Sequence, residues 1–195
     1  MEAAPIGRAR PLPADERRAM IIHAVTPLLL EHGRDVTSRQ IAEAAGIAEG
    51  TIYRAFGDKE SLIEAVIHHY LDPEPMRNAL RRIDRSLPLD EKIFQIVAVS
   101  RERFATVFRI MSVLGTEKPR LPSQRAAYTE LVADCLAGDA ERLRWDPERV
   151  GQVIRLITFS TAFPQLNDGV EFTTQELASI VLHGVVGGRQ PEEEP

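Results

Sequence analysis

The 195-residue chain has a single cysteine, Cys135, which excludes an internal disulfide. Its setting, TELVADCLAG, reads as that of a small buried hydrophobe rather than a nucleophile or a metal ligand. No apolar run approaches the roughly 18 residues a membrane helix needs. MEAAPIGRARPLPADERR has no apolar segment to serve as a signal peptide, so a cytoplasmic location without a membrane partner is expected. Strand signals are missing too, since no stretch alternates β-branched and polar residues between two-residue turns. An excess of positive charge is also absent. The formal net charge is −5, and residues 1–70 hold 8 Lys and Arg against 10 Asp and Glu. A nucleic-acid partner therefore cannot be argued from net charge, only from placement. Arg8, Arg10, Arg17, Arg18, Arg39, Arg54 and Lys59 would have to share one face.

The signatures of catalysis are absent as well. His23, His32, His68, His69 and His183 fall in no HExxH, Cys-His cluster or nucleophile elbow, and there is no glycine-rich phosphate loop. Adjacent carboxylates such as Asp90 and Glu91 read as helix starts. No catalytic residue, metal site or cofactor is expected, and enzyme is the poorer reading.

What is present is a recurrence of apolar residues at three- and four-residue spacing along nearly the whole chain, which predicts an all-α protein. After a Pro-rich basic arm, residues 1–14, expected to be disordered, Asp15 can cap a helix through Met20, Ile21, Ala24, Val25 and Leu28 to Leu30, ending at Gly33. Pro27 inside it predicts a kink or the loss of one backbone hydrogen bond. Thr37 followed by Gln40 fits a capping box, so a short helix opens at Ser38 and stops at Gly46. A second begins near Ala48 or Glu49 and ends at Phe56 and Gly57. Asp58 then caps a third through Leu62, Ala65, Val66 and Tyr70. That spacing is a helix-turn-helix.

Ile41, Ala45, Ile47, Ile52, Phe56 and Leu62 suffice for a small three-helix core, leaving Thr37, Ser38, Arg39, Glu49, Gly50, Thr51, Tyr53, Arg54 and Lys59 outward or peripheral. In a helix-turn-helix the second helix reads base edges in the major groove of double-stranded DNA, while the start of the first touches phosphates. The hydroxyls of Thr37, Thr51 and Tyr53 and the Lys59 ammonium suit phosphates. Arg54 can bond bidentately to guanine or grip the backbone, and Gly50 lets the helix start approach the groove.

The stretch also resembles the DNA-binding domain of the TetR family of transcriptional regulators. Thr37, Ile41-Ala42, Ala45-Gly46, Gly50-Thr51-Ile52-Tyr53, Phe56 and Lys59-Glu60-Ser61-Leu62 supply the family's pattern in order and without gaps, over roughly residues 15 to 70. The aromatic or His that often precedes the Phe is Ala55 here. Glu49 puts a carboxylate beside the groove, where it can favour the helix N-terminus or accept from cytosine. The resemblance implies a homodimeric repressor bound to a palindromic operator and responsive to a small-molecule effector; the alternative is a helical dimeric interaction protein or a regulator without a small-molecule ligand. It also implies that residues 71–187 form a helical domain for ligand binding and dimerisation.

Residues beyond Leu71 carry no motif of comparable strength. DPEP breaks the linking helix; a short helix from Met76 to Ile83 and another from Pro88 and Asp90 follow. In the latter, Phe94, Val97, Phe104, Phe108 and Met111 form one stripe and Ile93, Ile96, Val107, Ile110 and Leu114 another, so it is apolar nearly all round and centrally buried. Aromatic stripes are ordinarily packing; the other reading is that they line a ligand cavity with Arg101 as polar anchor, joined by Tyr128, Phe159 and Phe163. The loop TEKPRLPSQ separates this helix from one over about Ser123 to Ala137. In the last two helices, Val150, Val153, Ile154, Ile157 and Thr161 form one face and Leu177, Ile180, Val181, Gly184 and Val185 another. With Gly184 allowing close approach, these faces are the expected dimer interface, paired in the family as a four-helix bundle. The acidic tail, residues 188–195, is expected to be disordered.

Overall fold

A computed structural model describes residues 13–114, 125–163 and 168–186. The expected arm up to residue 12, the loop TEKPRLPSQ and the expected tail lie outside the described residues. The protein is all-α. Helix α1 (Ala14–His32) leads through a 3₁₀ turn (Gly33–Asp35) to α2 (Ser38–Ala45), α3 (Glu49–Phe56) and α4 (Lys59–Leu71). Then come α5 (Glu74–Arg82), α6 (Leu89–Leu114), α7 (Arg125–Leu136), a 3₁₀ stretch (Ala137–Arg142), α8 (Pro147–Thr161) and α9 (Thr174–Val185). Among the described residues no strand forms; one isolated bridge joins Leu143 and Val186. There are two compact units, one holding the residues up to Tyr70 with Val113 and Leu114, the other Leu71–Ser112 and the described residues from Arg125 on.

In the first unit, which we call the head, Ile21, Val25 and Leu29 recur every fourth residue on α1. They are fully buried with Ile41, Ile52, Leu62, Ile63 and Val66 of the following helices. Each such side chain contributes on the order of 1.5–3 kcal/mol on burial, which sets the short α2 and α3 in place where propensity alone would not. Ala45 and Ile47 are only half-buried, because both sit at the turn between α2 and α3. Helix α1 runs through Pro27, and the neighbouring Thr26 hydroxyl donates to the Ile22 carbonyl at 2.6 Å on the buried side. Pro13, not Asp15, occupies its N-cap, and Asp15 lies in the first turn.

In the second unit α6 supplies Ile93, Ile96 and Val97 to a core closed by Leu80, Val132, Leu136, Val150, Ile154, Leu177 and Val181. Helices α7 and α8 cross closely at Gly151, where a Cβ would stand 3.3 Å from Val132 side-chain atoms. One buried ion pair has no counterpart in the sequence reading. Lys92 is 3% exposed and paired with Asp139, which also accepts from Arg142 at 2.9 Å.

Candidate nucleic-acid interface

Local chemistry builds the α2–α3 pair. The Gln40 N–H donates to Thr37 Oγ1 at 3.2 Å and the Thr37 N–H to Gln40 Oε1 at 2.9 Å, a reciprocal capping box that satisfies two donors at the helix start. After Ala45, Gly46 adopts the left-handed conformation, φ 63° and ψ 33°, and the Ile47 N–H closes back on the Ala42 carbonyl at 3.0 Å. No side chain caps α3 at Ala48; its inner face is held by Ile52 and Phe56. Asp58 accepts from the Ser61 N–H at 2.7 Å to start α4, and that bond holds its carboxyl below the ordinary carboxylate range.

The residues expected to meet DNA lie on what remains. Thr37, Arg39, Glu49, Gly50, Tyr53 and Arg54 are exposed, and Ser38, Thr51 and Lys59 are half-buried. Ser38 and Tyr53 come together, hydroxyl to hydroxyl. Arg39 pairs with Glu43 at 3.0 Å one turn on, an exposed pair worth only about 0.3–0.5 kcal/mol and easily exchanged for a phosphate. Arg54 makes no hydrogen bond or ion pair with another described residue. Lys59 is committed differently from the expectation: its ammonium donates to the Arg34 carbonyl at 3.0 Å. Arg34, which the sequence reading passed over, itself donates to Glu60 at 2.8 Å and to the Leu114 carbonyl at 2.6 Å. An ammonium has three donors, so the Arg34 bond leaves Lys59 two more.

In the second unit the α6 stripe meets α8. The Phe104 and Phe159 rings lie 5.5 Å apart edge to face and Phe108 and Phe163 4.8 Å, both within the range of favourable ring pairs, and Phe159 and Phe163 stand 4.4 Å apart, just under its short limit. Half-buried Arg101 donates to the Thr174 hydroxyl at 3.1 Å, and Met111 is half-buried on the same stripe. Phe94 packs against the unit's core instead. Tyr128 lies in the unit's core cluster. It is 3% exposed, and its hydroxyl stands 2.8 Å from Ser100 Oγ, which gives its own proton to the Ile96 carbonyl at 2.7 Å, so Tyr128 is the donor. Burial pushes its phenol up to about 12.

The expected dimer faces need correction. Val150, Ile154, Leu177 and Val181 turn into their own chain's core, since α8 and α9 pack inward along those rows. Ile180 and Gly184 are exposed, Ile157 and Thr161 half-buried, and a Cβ on Gly184 meets nothing within 4 Å among the described residues. Leu156, 56% exposed and absent from the sequence-based set, stands on the outward side of α8. Among the described residues no group of three or more His, Cys, Asp and Glu is placed to hold a metal ion, and no helix is long and apolar enough to cross a membrane.

Residues 21–66 match the family of bacterial regulatory proteins of the tetR type. The chain is 38% identical over 69 residues to the HTH-type transcriptional repressor KstR2 of Rhodococcus jostii, covering 32% of this chain and 34% of that protein. It thus spans about a third of that relative's length. Among solved structures, the ketosteroid transcriptional regulator KstR2 of Mycobacterium tuberculosis gives a TM-score of 0.54 at 22% identity, covering 88% of this chain and 95% of that one. A TetR-family protein of Mesorhizobium loti gives 0.60 at 16% identity, covering 91% and 100%. At those identities the likeness is one of fold.

Proposed function

We propose, from the match of residues 21–66 to the tetR family of bacterial regulatory proteins, that the chain is a sequence-specific DNA-binding regulator of that type, a repressor acting as a homodimer on a palindromic operator. The observation that carries this reading is the division of α3. Ile52 and Phe56 are buried in the head while Glu49, Gly50, Tyr53 and Arg54 stand outward behind a doubly capped α2. A short helix held on one side and polar on the other is the geometry that enters a major groove. In this reading Thr37, Ser38 and Arg39 at the start of α2 position the protein on phosphates, with Thr51, Tyr53 and Lys59 adding to them. Arg54 reads a base edge, and Glu49 accepts from cytosine or supports the start of α3.

Dimerisation uses the outward sides of α8 and α9, with Leu156, Ile157, Thr161, Ile180 and Gly184, and sets two α3 helices about 34 Å apart, one DNA turn. Effector response rests on Arg101, Phe104, Phe108, Met111 and Phe159. A small molecule that binds this unit more tightly in the DNA-free state lowers operator affinity by that difference, typically about 1–3 kcal/mol. The contact of the four phenylalanine rings with one another, though Phe159 is 37% exposed, supports a second reading, a regulator in which the rings pack on each other and hold no small-molecule ligand. Thermal unfolding with a panel of apolar carboxylates separates the two: a bound effector at about 100 Kd stabilises by about 2.7 kcal/mol, while a ligand-free regulator gains nothing.

The test of the DNA reading is selection from a pool of DNA duplexes with randomised cores. Enrichment of an inverted repeat with half-sites one helical turn apart is expected. A pool that stays unenriched after successive rounds overturns the proposal.

A further inference from the structure

Arg18 has the residue type and location of a phosphate contact, being exposed in the first part of α1. Its contacts point elsewhere. One guanidinium nitrogen donates to the Ala55 carbonyl in the last turn of α3, and the guanidinium carbon lies 4.5 Å from the centre of the Phe56 ring. Both contacts fall on the end of α3 opposite the residues that open the helix, Glu49 and Gly50.

Helix α3 has eight residues and no side-chain cap at its start. Two turns are too few to persist by hydrogen bonding alone, so the helix depends on what packs against it. The last four carbonyls of a helix have no partner within it and carry the negative end of its dipole. The Gly57 N–H satisfies the Tyr53 carbonyl at 2.9 Å, and Arg18 supplies a charged donor to the Ala55 carbonyl two residues on. The ring contact fixes the same guanidinium over Phe56, itself buried at 8% exposure. A planar cation thus grips α3 at two adjacent residues, one by its carbonyl and one by its ring.

We propose that Arg18 is a positioning residue for the recognition helix. It clamps the C-terminal end of α3 through the Ala55 carbonyl and the Phe56 ring and so sets the angle at which Tyr53 and Arg54 are presented, without itself neutralising a phosphate. This rests on the DNA-binding reading for its consequence, but not for its first observable.

Hydrogen exchange of the full chain without DNA, in the wild type, Arg18→Ala and Arg18→Gln, is the first half of the test. Arg18→Ala should speed exchange at the amides of Tyr53 to Gly57 about tenfold while leaving those of α4 unchanged. Arg18→Gln, which keeps a donor, should recover part of the protection. Unchanged exchange in α3 overturns the clamp, whatever the protein binds; uniform acceleration through α1, α2 and α4 overturns it too, by showing a general loss of the head. The second half is binding of a selected duplex across a salt series. Arg18→Ala should weaken binding about tenfold with the slope of log K against log salt unchanged, since no counterion is released by a group that meets no phosphate. A slope smaller by about 1 assigns Arg18 to a phosphate and overturns the proposal. If no duplex is selected at all, the DNA reading fails while the exchange result still judges the clamp.

Discussion

Ser38 Oγ and Tyr53 Oη stand 3.2 Å apart, joining the first turn of α2 to the outward face of α3 by a single hydrogen bond. Two hydroxyls that sequence reasoning treats as separate DNA contacts are therefore one unit, each limiting the rotation of the other. Tyr53→Phe keeps the ring and removes the bond. It should cost about 1 kcal/mol in binding a selected duplex, equally on every sequence and without changing the salt slope, because a neutral hydroxyl releases no counterion. Ser38→Ala should cost a similar amount, and the double variant less than the sum. Fluorescence anisotropy over a salt series checks all three.

Arg54 is exposed without a polar partner among the described residues. A bidentate guanidinium on guanine is worth about 1–3 kcal/mol of discrimination. Repeating the duplex selection with Arg54→Ala should relax one base position in each half-site. A loss that is equal on all sequences instead places Arg54 on the phosphate backbone.

A Cβ at Gly50 would meet nothing within 4 Å among the described residues, so packing against them does not require glycine there. Gly50→Ala should leave the head folded, or raise its stability by up to about 1 kcal/mol through helix propensity. If the start of α3 approaches the groove as closely as proposed, the same substitution weakens DNA binding. Thermal unfolding and binding measured on one preparation show whether the two effects part in this way.

Tyr128 gives a pH dependence of known sign. Its phenol is pushed up to about 12 by burial. An exposed tyrosine ionises near 10, so the unfolded chain gives up this proton before the folded one. The stabilisation is fully present below about 10 and is lost as pH rises to about 12, on the order of 2–3 kcal/mol in all. Absorbance should record an alkaline tyrosine step near 12, and Tyr128→Phe should remove both that step and the alkaline loss of stability.

Most of the head was legible in the sequence because its signals are local. Thr37 with Gln40, Gly46 and Asp58 each act within a few residues of themselves, and apolar spacing fixes which side of α1 turns inward. What escaped depends on partners distant in the chain. Lys59 reads as a phosphate contact until the Arg34 carbonyl comes beside it, and Arg34 carries no local signal of its bonds to Glu60 and the Leu114 carbonyl. Lys92 sits among charges in LDEKIF and gives no sign that Asp139 will bury with it. In the second unit the apolar rows of α8 and α9 were visible, but periodicity does not say whether a row faces its own core or another copy. Val150, Ile154, Leu177 and Val181 proved to be core, and the exposed Leu156 and Ile180 mark the other side.

The regulator reading stands on sequence-specific recognition by α3. Its most direct measurement is the affinity of the full chain for a selected duplex against a scrambled duplex of the same length and composition, at about 150 mM salt where non-specific binding is weak. The expected result is a preference of at least about a thousandfold for the selected duplex. Equal affinities for the two duplexes contradict it.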